Sequence, residues 1–328
     1  MKKPGLFALS ELESAADWVK QKLGETPTRH WPLLSDRLGA EVWVKHENHN
    51  LTGSFKVRGG LFYLSKKRQE GQTFKTVVAA TRGNHGQSVA LAASRLGLNS
   101  VTIVPQNNNP EKNAAMVSLG TSLIEMGQDF QEAYDYARNR SSHEGWHLVP
   151  SFDLDLLPGV ASYAMEFFRD APALDVVFVP IGLGSGICSV AAARDALGLR
   201  TRIVGVVSSG APAYAVSFEQ KRVVETGPPQ TLADGLAVRV PDPVALQLIL
   251  KRVDRVVQVK DEEIASAMSC YFTDTHNIAE GAGAAPLAAA LAEREKIAGN
   301  RVGLVLSGGN VDRATYISVL DAKTKESH

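Results

Sequence analysis

The chain of 328 residues contains only two cysteines, Cys188 and Cys270, which belong to no Cys-x-x-Cys pair or Cys/His cluster. This scarcity argues against a disulfide framework and against a structural zinc site. Basic blocks are also missing, since 35 Lys plus Arg balance 35 Asp plus Glu. The sequence therefore lacks the electrostatic footprint of a protein that binds nucleic acid or a membrane surface. We expect its partner to be a small molecule.

Long apolar runs are absent as well. No uninterrupted apolar stretch approaches the roughly 20 residues that span a bilayer. The amino-terminal segment from Met1 to Asp17 has no apolar core like that of a signal peptide. Hydrophobic residues nevertheless make up 44% of the chain, which is ample for one large core or two smaller ones. We expect a globular, cytoplasmic protein.

Short runs rich in Val and Ile alternate with helix-like stretches along most of the chain. Strands are predicted at residues 76–80, 100–104, 176–179, 203–207 and 302–306, and helices at residues 87–96, 113–119 and 187–196. Apolar runs without polar alternation are typical of strands that are buried on both faces, as in a parallel sheet covered by helices. The predicted fold class is α/β with doubly wound parallel sheets.

Residues 52–56, Thr-Gly-Ser-Phe-Lys, place a lysine directly after an aromatic residue in a turn of small residues. In an apolar, partly closed pocket the charged form of a lysine is disfavoured, and the neutral amine can form a Schiff base with a carbonyl group. A Gly-Ser turn followed by lysine is also an ordinary loop. The catalytic interpretation of this segment therefore depends on the other motifs.

Residues 182–186, Gly-Leu-Gly-Ser-Gly, lie between the strand predicted at 176–179 and the helix predicted at 187–196. A glycine-rich turn at a helix amino terminus directs backbone N–H groups at one spot, where an anion such as a phosphate binds. A dinucleotide is disfavoured because Ile187 stands where G-x-G-x-x-G has its third glycine, and no acidic residue follows the strand at 203–207. A simple tight turn is the alternative.

Two further segments follow predicted strands. Residues 81–87, Thr-Arg-Gly-Asn-His-Gly-Gln, come after the strand at 76–80, and residues 307–310, Ser-Gly-Gly-Asn, come after the strand at 302–306. With these four motifs in this order, the chain resembles the pyridoxal-phosphate enzymes of the tryptophan-synthase-β fold (fold type II), specifically the serine/threonine dehydratase and serine racemase branch. The resemblance runs from about Val42 to Asn310.

The resemblance implies that pyridoxal 5'-phosphate is the cofactor and that Lys56 is the catalytic residue, which binds the cofactor covalently and removes the substrate α-proton. It also implies a large cofactor-binding domain of residues 1–66 and 148–328 and a small mobile domain of residues 67–147, with the cofactor in the cleft between them. The implied cofactor-binding residues are Phe55, Lys56, Asn84, Gly182, Leu183, Gly184, Ser185, Gly186 and Ser307. The implied substrate-binding residues are Ser54, Thr81, Arg82, Asn84 and His85.

Several of these residues have specific implied roles. Asn84 would contact the phenolic oxygen of the cofactor, and the Ser307 hydroxyl would meet its pyridine nitrogen, which then stays largely neutral and favours β-elimination. Phe55 is expected to pack on the cofactor ring, and His85 to position the substrate without transferring protons. This family usually has four consecutive glycines in the phosphate loop, so Leu183 and Ser185 are departures, although the Ser185 hydroxyl could donate to the phosphate.

Glu280 and Asp234 are weaker candidates. Glu280, in the segment Ala-Glu-Gly-Ala-Gly at 279–283, is a candidate for lining the site. Asp234 matches a recurrent family segment, but a turn-forming Asp-Gly pair explains it equally well. None of the motifs supplies an obvious side-chain acid, so the cofactor phosphate is expected to protonate the leaving group.

Two departures favour a dehydratase over a racemase. The racemases carry a serine immediately before the Gly-Asn-His segment, where this chain has Arg82, and arginine cannot shuttle protons because its pKa is too high. Arg82 would instead bind an anionic group of the substrate or form a salt bridge. Racemase-type members also hold a divalent cation on acidic residues where this chain has Val207 and Ala213, so no divalent metal site is predicted. A monovalent ion on backbone carbonyls stays open.

The predicted reaction is the β-elimination of a 3-hydroxy-L-amino acid such as threonine or serine, giving a 2-oxo acid and ammonia, by a homodimer that depends on pyridoxal phosphate. A bulkier or anionic substrate, phenylserine or 3-hydroxyaspartate, is the alternative. A serine-racemase-like enzyme and a non-catalytic binding protein are less favoured. Synthases that use sulfide usually have threonine at the position of His85, which argues against a cysteine synthase.

Overall fold

The computed structural model describes residues 5–324, so the first residues of the amino-terminal segment discussed above lie outside the described residues. The strands are β1 (Thr28–His30), β2 (Glu41–His46), β3 (Thr76–Ala80), β4 (Asn99–Val104), β5 (Ser122–Glu125), β6 (His147–Leu148), β7 (Val176–Pro180), β8 (Arg202–Ser208), β9 (Arg255–Val259) and β10 (Arg301–Leu306).

The helices are α1 (Leu9–Leu23), α2 (Pro32–Leu38), α3 (Lys56–Gln69), α4 (Asn84–Arg95), α5 (Pro110–Ser118), α6 (Phe130–Glu144), α7 (Leu157–Asp170), α8 (Ser185–Ala196), α9 (Ala213–Gln220), α10 (Pro243–Arg252), α11 (Asp261–Thr275), α12 (Gly281–Ala292), α13 (Arg294–Ile297) and α14 (Arg313–Thr324). No helix among residues 5–324 is both long enough and apolar enough to cross a bilayer.

The strands form two sheets. The larger has the order β1-β2-β10-β7-β8-β9, in which only β1 is antiparallel to its neighbour. The smaller has the order β5-β4-β3-β6 and is parallel throughout. The predicted α/β class with parallel sheets is therefore confirmed.

Helices cover both faces of the larger sheet, which is why its central strands are apolar without interruption. In β7, Val176 and Phe178 pack into one core with residues of α11 and α12, whereas Val177 and Val179 pack into a second core with α7 and α8. Successive side chains of a strand point to opposite faces. A strand between two helical layers must therefore be apolar at every position.

Each predicted strand and helix is present, with differences only at the ends. Helix α5 begins at Pro110 rather than at residue 113, because the Asn109 side chain caps it by accepting the N–H groups of Glu111 and Lys112. Proline at the first helical position adds to this start signal. The sequence prediction did not use either signal.

The smaller sheet is built from residues 76–148, whereas both ends of the chain contribute to the larger one. The domain boundaries at residues 66/67 and 147/148, and the mobility of the smaller part, stay predictions. Helix α3 runs across the first of these boundaries.

Helices α3 and α4 are packed unusually closely. The Ser88 hydroxyl of α4 donates a hydrogen bond to the carbonyl oxygen of Lys56 over 2.6 Å. A Cβ atom added to Gly60 of α3 would lie 2.2 Å from the Ser88 oxygen, so residue 60 must be glycine for the two helices to approach in this way. The helices that begin at Lys56 and Asn84 are therefore in direct contact, with the Ser88 side chain of α4 against the backbone of α3.

A fully buried ion network fixes the start of α3. Arg58, two residues after Lys56, donates to Glu166 over 2.6 Å and to Glu47 over 2.8 Å. Lys45 of β2 donates to Glu166 over 2.6 Å. Burial opposes the charge of Arg58, but the two carboxylates more than offset it and raise the pKa of the guanidinium. The network therefore joins β2, α3 and α7 beneath the segment that contains Lys56.

We expect Arg58→Met to lower the free energy of unfolding by about 3–5 kcal/mol, because two buried carboxylates would then share only Lys45. Urea denaturation with linear extrapolation measures this change. Arg138→Met is the control, since Arg138 forms an exposed pair with Asp135, and its removal should cost less than about 1 kcal/mol. Equal effects of the two substitutions would show that the buried network adds no specific stability.

Candidate active site

A single cavity lies where β3, β7 and β10 end. Thr81 follows β3, Gly182 follows the last residue of β7 by two positions, and Ser307 follows β10. Ligands of open parallel sheets bind at the carboxyl ends of the strands, where helix amino termini converge. The sequence-predicted residues that line the cavity are Phe55, Lys56, Thr81, Arg82, Asn84, His85, Gly182, Leu183, Gly184, Ser185, Gly186 and Ser307.

Ser54 is the predicted site residue that does not line the cavity. Its side chain is fully buried, and its backbone forms a β-bridge with Gly308. The Ser54 hydroxyl is also without a hydrogen-bond partner among residues 5–324. The structure thus brings Ser54 behind the wall of the cavity, and a direct contact with substrate stays a prediction.

Lys56 is the first residue of α3 and presents its amine to the cavity. The amine donates to the Ser185 hydroxyl over 3.1 Å and lies 5.1 Å from the centre of the Phe55 ring. Burial lowers the pKa of Lys56 to about 8, while the nearby Glu280 carboxyl opposes the change. Removal from water therefore increases the fraction of neutral amine near neutral pH, which is the form that a nucleophile or a base requires.

The glycine-rich turn forms a cradle for an anion at the start of α8. Gly184 caps this helix with a φ of 105°, a backbone conformation that favours glycine. A Cβ added to Gly182 would lie 2.4 Å from the carbonyl oxygen of Gly235. The N–H groups of the first turn of a helix have no partner within it, and Ser185 adds a hydroxyl beside them. The Leu183 carbonyl is held by the Tyr214 hydroxyl over 2.9 Å.

Asn84 begins α4 and lies between two polar side chains. Its Nδ2 donates to Glu280 Oε1 over 2.8 Å, and its Oδ1 accepts from Asn310 Nδ2 over 2.7 Å. Burial raises the pKa of Glu280 to about 7, against the opposing effects of Lys112 and Asn84. The cavity thus contains a side-chain acid, whereas sequence reasoning named Glu280 only as a weaker candidate for lining the site and assigned it no acid role.

His85 is buried and neutral. Its Nε2–H donates to the Val149 carbonyl over 3.0 Å, which assigns the proton to Nε2. Burial and the nearby Lys56 lower the pKa of His85 to about 4. Its role in positioning the substrate stays a prediction.

Thr81, Phe55 and Ser307 are held by neighbouring backbone. The Thr81 hydroxyl accepts the N–H groups of Gly83 over 2.9 Å and of Gly86 over 3.2 Å, which shapes the turn between β3 and α4. The Ser307 carbonyl accepts the Phe55 N–H over 3.1 Å. The bond to Ser307 ties the end of β10 to the residue before Lys56.

Three charged side chains that line the cavity, Arg82, Lys112 and Asp234, contact one another. Asp234 accepts from Lys112 over 2.5 Å, while Arg82 Nε lies 3.6 Å from its other carboxylate oxygen. Arg82 Nε has no hydrogen-bond partner among residues 5–324. Arg82 thus pairs loosely with Asp234 at the cavity itself. Lys112 was missed because no local pattern on α5 distinguishes it from a surface lysine.

Comparison with known proteins agrees with this geometry. The profile of the family described as "Pyridoxal-phosphate dependent enzyme" matches residues 19–308. An L-threonine ammonia-lyase of Geobacter sulfurreducens is 34% identical over 311 residues, which cover 94% of this chain and 77% of that protein. An L-threo-3-hydroxyaspartate ammonia-lyase of Saccharomyces cerevisiae is 30% identical over 310 residues, which cover 94% of this chain and 95% of that protein.

A solved structure is similar over nearly the whole chain. The processed form of threonine deaminase isoform 2 from Solanum lycopersicum superposes with a TM-score of 0.88 at 29% sequence identity, covering 98% of this chain and 95% of that one. The parallel sheets and their connections are therefore those of a known fold.

The residues of the cavity fit pyridoxal phosphate. An amine with a lowered pKa faces a helix amino terminus, whose turn cannot accommodate a side chain at Gly182. A phosphate suits the N–H groups of that turn, and an aldehyde suits the amine. The buried Ser307 offers a neutral hydroxyl in the same cavity.

We expect Lys56 in the cofactor-free protein to lose its proton near pH 8 rather than near the ordinary lysine value of about 10.4. Because folding lowers this pKa, the unfolded chain binds more protons at Lys56 than the folded chain does between about pH 8 and about pH 10.4. The contribution of Lys56 to stability therefore rises with pH across this window. Reductive methylation with ¹³C-formaldehyde followed by NMR titration measures the pKa, and Lys56→Met identifies the signal. A midpoint near pH 10 would contradict the burial argument.

Proposed function

The chain belongs to the family of pyridoxal-phosphate dependent enzymes, and we propose that it removes the β-hydroxyl of a 3-hydroxy-L-amino acid to give a 2-oxo acid and ammonia. The curated relatives named above are ammonia-lyases, which supports an elimination reaction. The observation that carries the proposal is the Lys56 amine, whose pKa is lowered to about 8 beside the anion cradle of α8. The predicted membership of the serine/threonine dehydratase group is confirmed.

Four parts of the cavity would hold the cofactor. Lys56 would attach to it, the turn at residues 182–186 would bind its phosphate, Asn84 would face its phenolic oxygen and Ser307 its ring nitrogen. When bound, the cofactor delocalises the negative charge that develops on the substrate α-carbon.

Lys56, released when the substrate amine takes its place, then acts as the base. With a pKa of about 8, a useful fraction of its amine is neutral near physiological pH, and a base whose pKa lies near the working pH transfers protons efficiently. The neutral His85 ring donates to a backbone carbonyl and leaves Lys56 as the group that takes the α-proton. The apolar residues Phe130, Leu236 and Val238, which also line the cavity, exclude water from it.

We expect the purified, cofactor-loaded protein to release a 2-oxo acid from a 3-hydroxy-L-amino acid, and Lys56→Ala to lower kcat by about 10³-fold or more. The visible absorption of the bound cofactor should also be lost, because its covalent attachment is removed. Lys66→Ala is the matched control, since Lys66 lies on the same helix but pairs with Asp155 away from the cavity. A fully active Lys56→Ala protein would overturn the mechanism.

A second candidate function is elimination from a substrate with a second carboxylate, such as 3-hydroxyaspartate. The cavity presents two cations, Arg82 and Lys112, to the single carboxylate of Asp234. Lys112 makes the short contact, which leaves Arg82 available for an incoming anion. The hydroxyaspartate ammonia-lyase among the relatives supports the same substrate class.

We expect Arg82→Gln to separate the two candidates. If Arg82 binds a substrate β-carboxylate, kcat/KM for 3-hydroxyaspartate should fall by about 10- to 100-fold, the worth of one charge-assisted hydrogen bond, while serine and threonine are little affected. The measurement is 2-oxo acid release from serine, threonine, phenylserine and 3-hydroxyaspartate, with the exposed Arg138→Gln as control. Equal losses for all substrates would assign Arg82 to the α-carboxylate, and no loss would make it a salt-bridge residue.

We further propose that residues 67–147 form a small mobile domain and that the protein acts in the cytoplasm as a homodimer. Cross-cleft pairs, Lys112 with Asp234 and Asp129 with Arg239, support a part that closes over the cavity.

A homodimer is supported by large apolar side chains exposed on the neighbouring helices α2, α11 and α14, which are Leu33, Phe272 and Ile317. Sedimentation velocity measures the oligomeric state, and a monomer would contradict it.

A further inference from the structure

Two of the four hydrogen-bonding positions of the Asn84 side chain are used within the structure. One N–H of Nδ2 donates to Glu280 Oε1, and Oδ1 accepts from Asn310 Nδ2. An amide group has two N–H donors and one oxygen with two lone pairs. The second N–H of Asn84 is therefore the one donor of this amide that remains for a ligand in the cavity that Asn84 lines.

The two neighbours also fix which way the amide faces. If the Asn84 amide were turned over, its oxygen would face an oxygen of Glu280, and its NH₂ group would face the NH₂ group of Asn310. Both contacts would be between like partners, and a buried polar group without a partner costs about 1–3 kcal/mol. Glu280 Oε1 can accept from Asn84 whether the carboxyl is ionised or carries its proton on the other oxygen.

Asn310 is itself held so that its amide cannot turn. Its Nδ2 also donates to the Thr52 carbonyl over 2.8 Å, so both of its N–H donors are used. Its Oδ1 lies 2.4 Å from where a Cβ on Gly53 would be, and Gly53 has a φ of 67°. Gly53, in the segment before Lys56, therefore packs directly against the Asn310 amide and orients it.

Glu280 is held from the other side. It precedes α12, and its backbone N–H donates to the Gly308 carbonyl over 3.1 Å. Its carboxyl oxygen lies so close to Gly308 that a Cβ there would be 2.7 Å away. Side chains from three distant parts of the sequence thus meet at Asn84, and none of these contacts depends on a bound group.

We propose that Glu280 and Asn310 are positioning residues that orient the Asn84 amide, so that its free N–H faces the phenolic oxygen of the cofactor. The inference rests on the proposed placement of the cofactor beside Asn84. It predicts that Asn310 influences cofactor binding only through Asn84, and that Glu280 does so apart from the effect of its charge on Lys56, which Glu280→Gln removes as well.

A double-mutant cycle on the full-length protein tests this dependence. The readouts are the dissociation constant for pyridoxal phosphate and the absorption maximum of the bound cofactor without substrate. We expect Glu280→Met and Asn310→Ala each to raise the dissociation constant by about five- to tenfold, the worth of one hydrogen bond, and to shift the absorption band. Glu280→Gln should stay near the wild type, because its amide oxygen still accepts from Asn84.

The decisive measurement is made in an Asn84→Ala background, where Asn310→Ala should have no further effect and Glu280→Met should match Glu280→Gln. Asn48→Ala is the control, since Asn48 donates to Asn277 and to the Ile278 carbonyl and does not line the cavity, and thermal unfolding shows that each variant is folded. Additive losses in the Asn84→Ala background would overturn the positioning role but leave the cofactor site intact. An Asn84→Ala protein with unchanged affinity and spectrum would overturn the placement of the cofactor and, with it, this inference.

Discussion

The structure depends on one constraint, which is the unfavourable free energy of burying the Lys56 amine. Burial lowers the pKa of Lys56 to about 8, and the same burial would destabilise any flexible segment that carried it. The segment is held in place because Arg58, two residues later in the first turn of α3, is bound by two buried carboxylates, and one of these, Glu166 of α7, also binds Lys45 of β2. The buried ion network around Arg58 does not line the cavity. It offsets the cost of burying the Lys56 amine within the cavity.

Parallel strands bring the remaining parts together. Because β3, β7 and β10 end on the same cavity, the turns that follow them supply an amide, a row of backbone donors and a hydroxyl without any long insertion. Helices α4 and α8 begin at these turns and add the positive ends of their dipoles. Side chains that would be unremarkable in separate loops thus act on one small volume.

Local patterns predicted the parts whose function depends on local backbone. The turn at 182–186, the lysine of the segment at 52–56 and the strands beside them could be found because glycine, apolar runs and helix starts have short-range signatures. Glu280 was identified only as a weak candidate and Lys112 not at all. Their partners Asn84 and Asp234 lie 196 and 122 residues away in sequence, so nothing near either residue marks the contact. The raised pKa of Glu280 and both pairings depend on burial, which exists only in the folded chain.

The close approach of α3 and α4 at Gly60 limits how the cleft can open. Helix α3 continues across the boundary proposed at residues 66/67, and the hydroxyl of Ser88 on α4 stays bonded to the backbone of Lys56. An opening of the cavity that separated α3 from α4 would leave the Ser88 hydroxyl without its partner. Sliding of one helix along the other would move the Ser88 hydroxyl away from the Lys56 carbonyl and break the same bond. The motion proposed for residues 67–147 would therefore keep α3 and α4 together at Gly60 and preserve the spacing between Lys56 and the start of α4, while the opposite rim of the cavity widens.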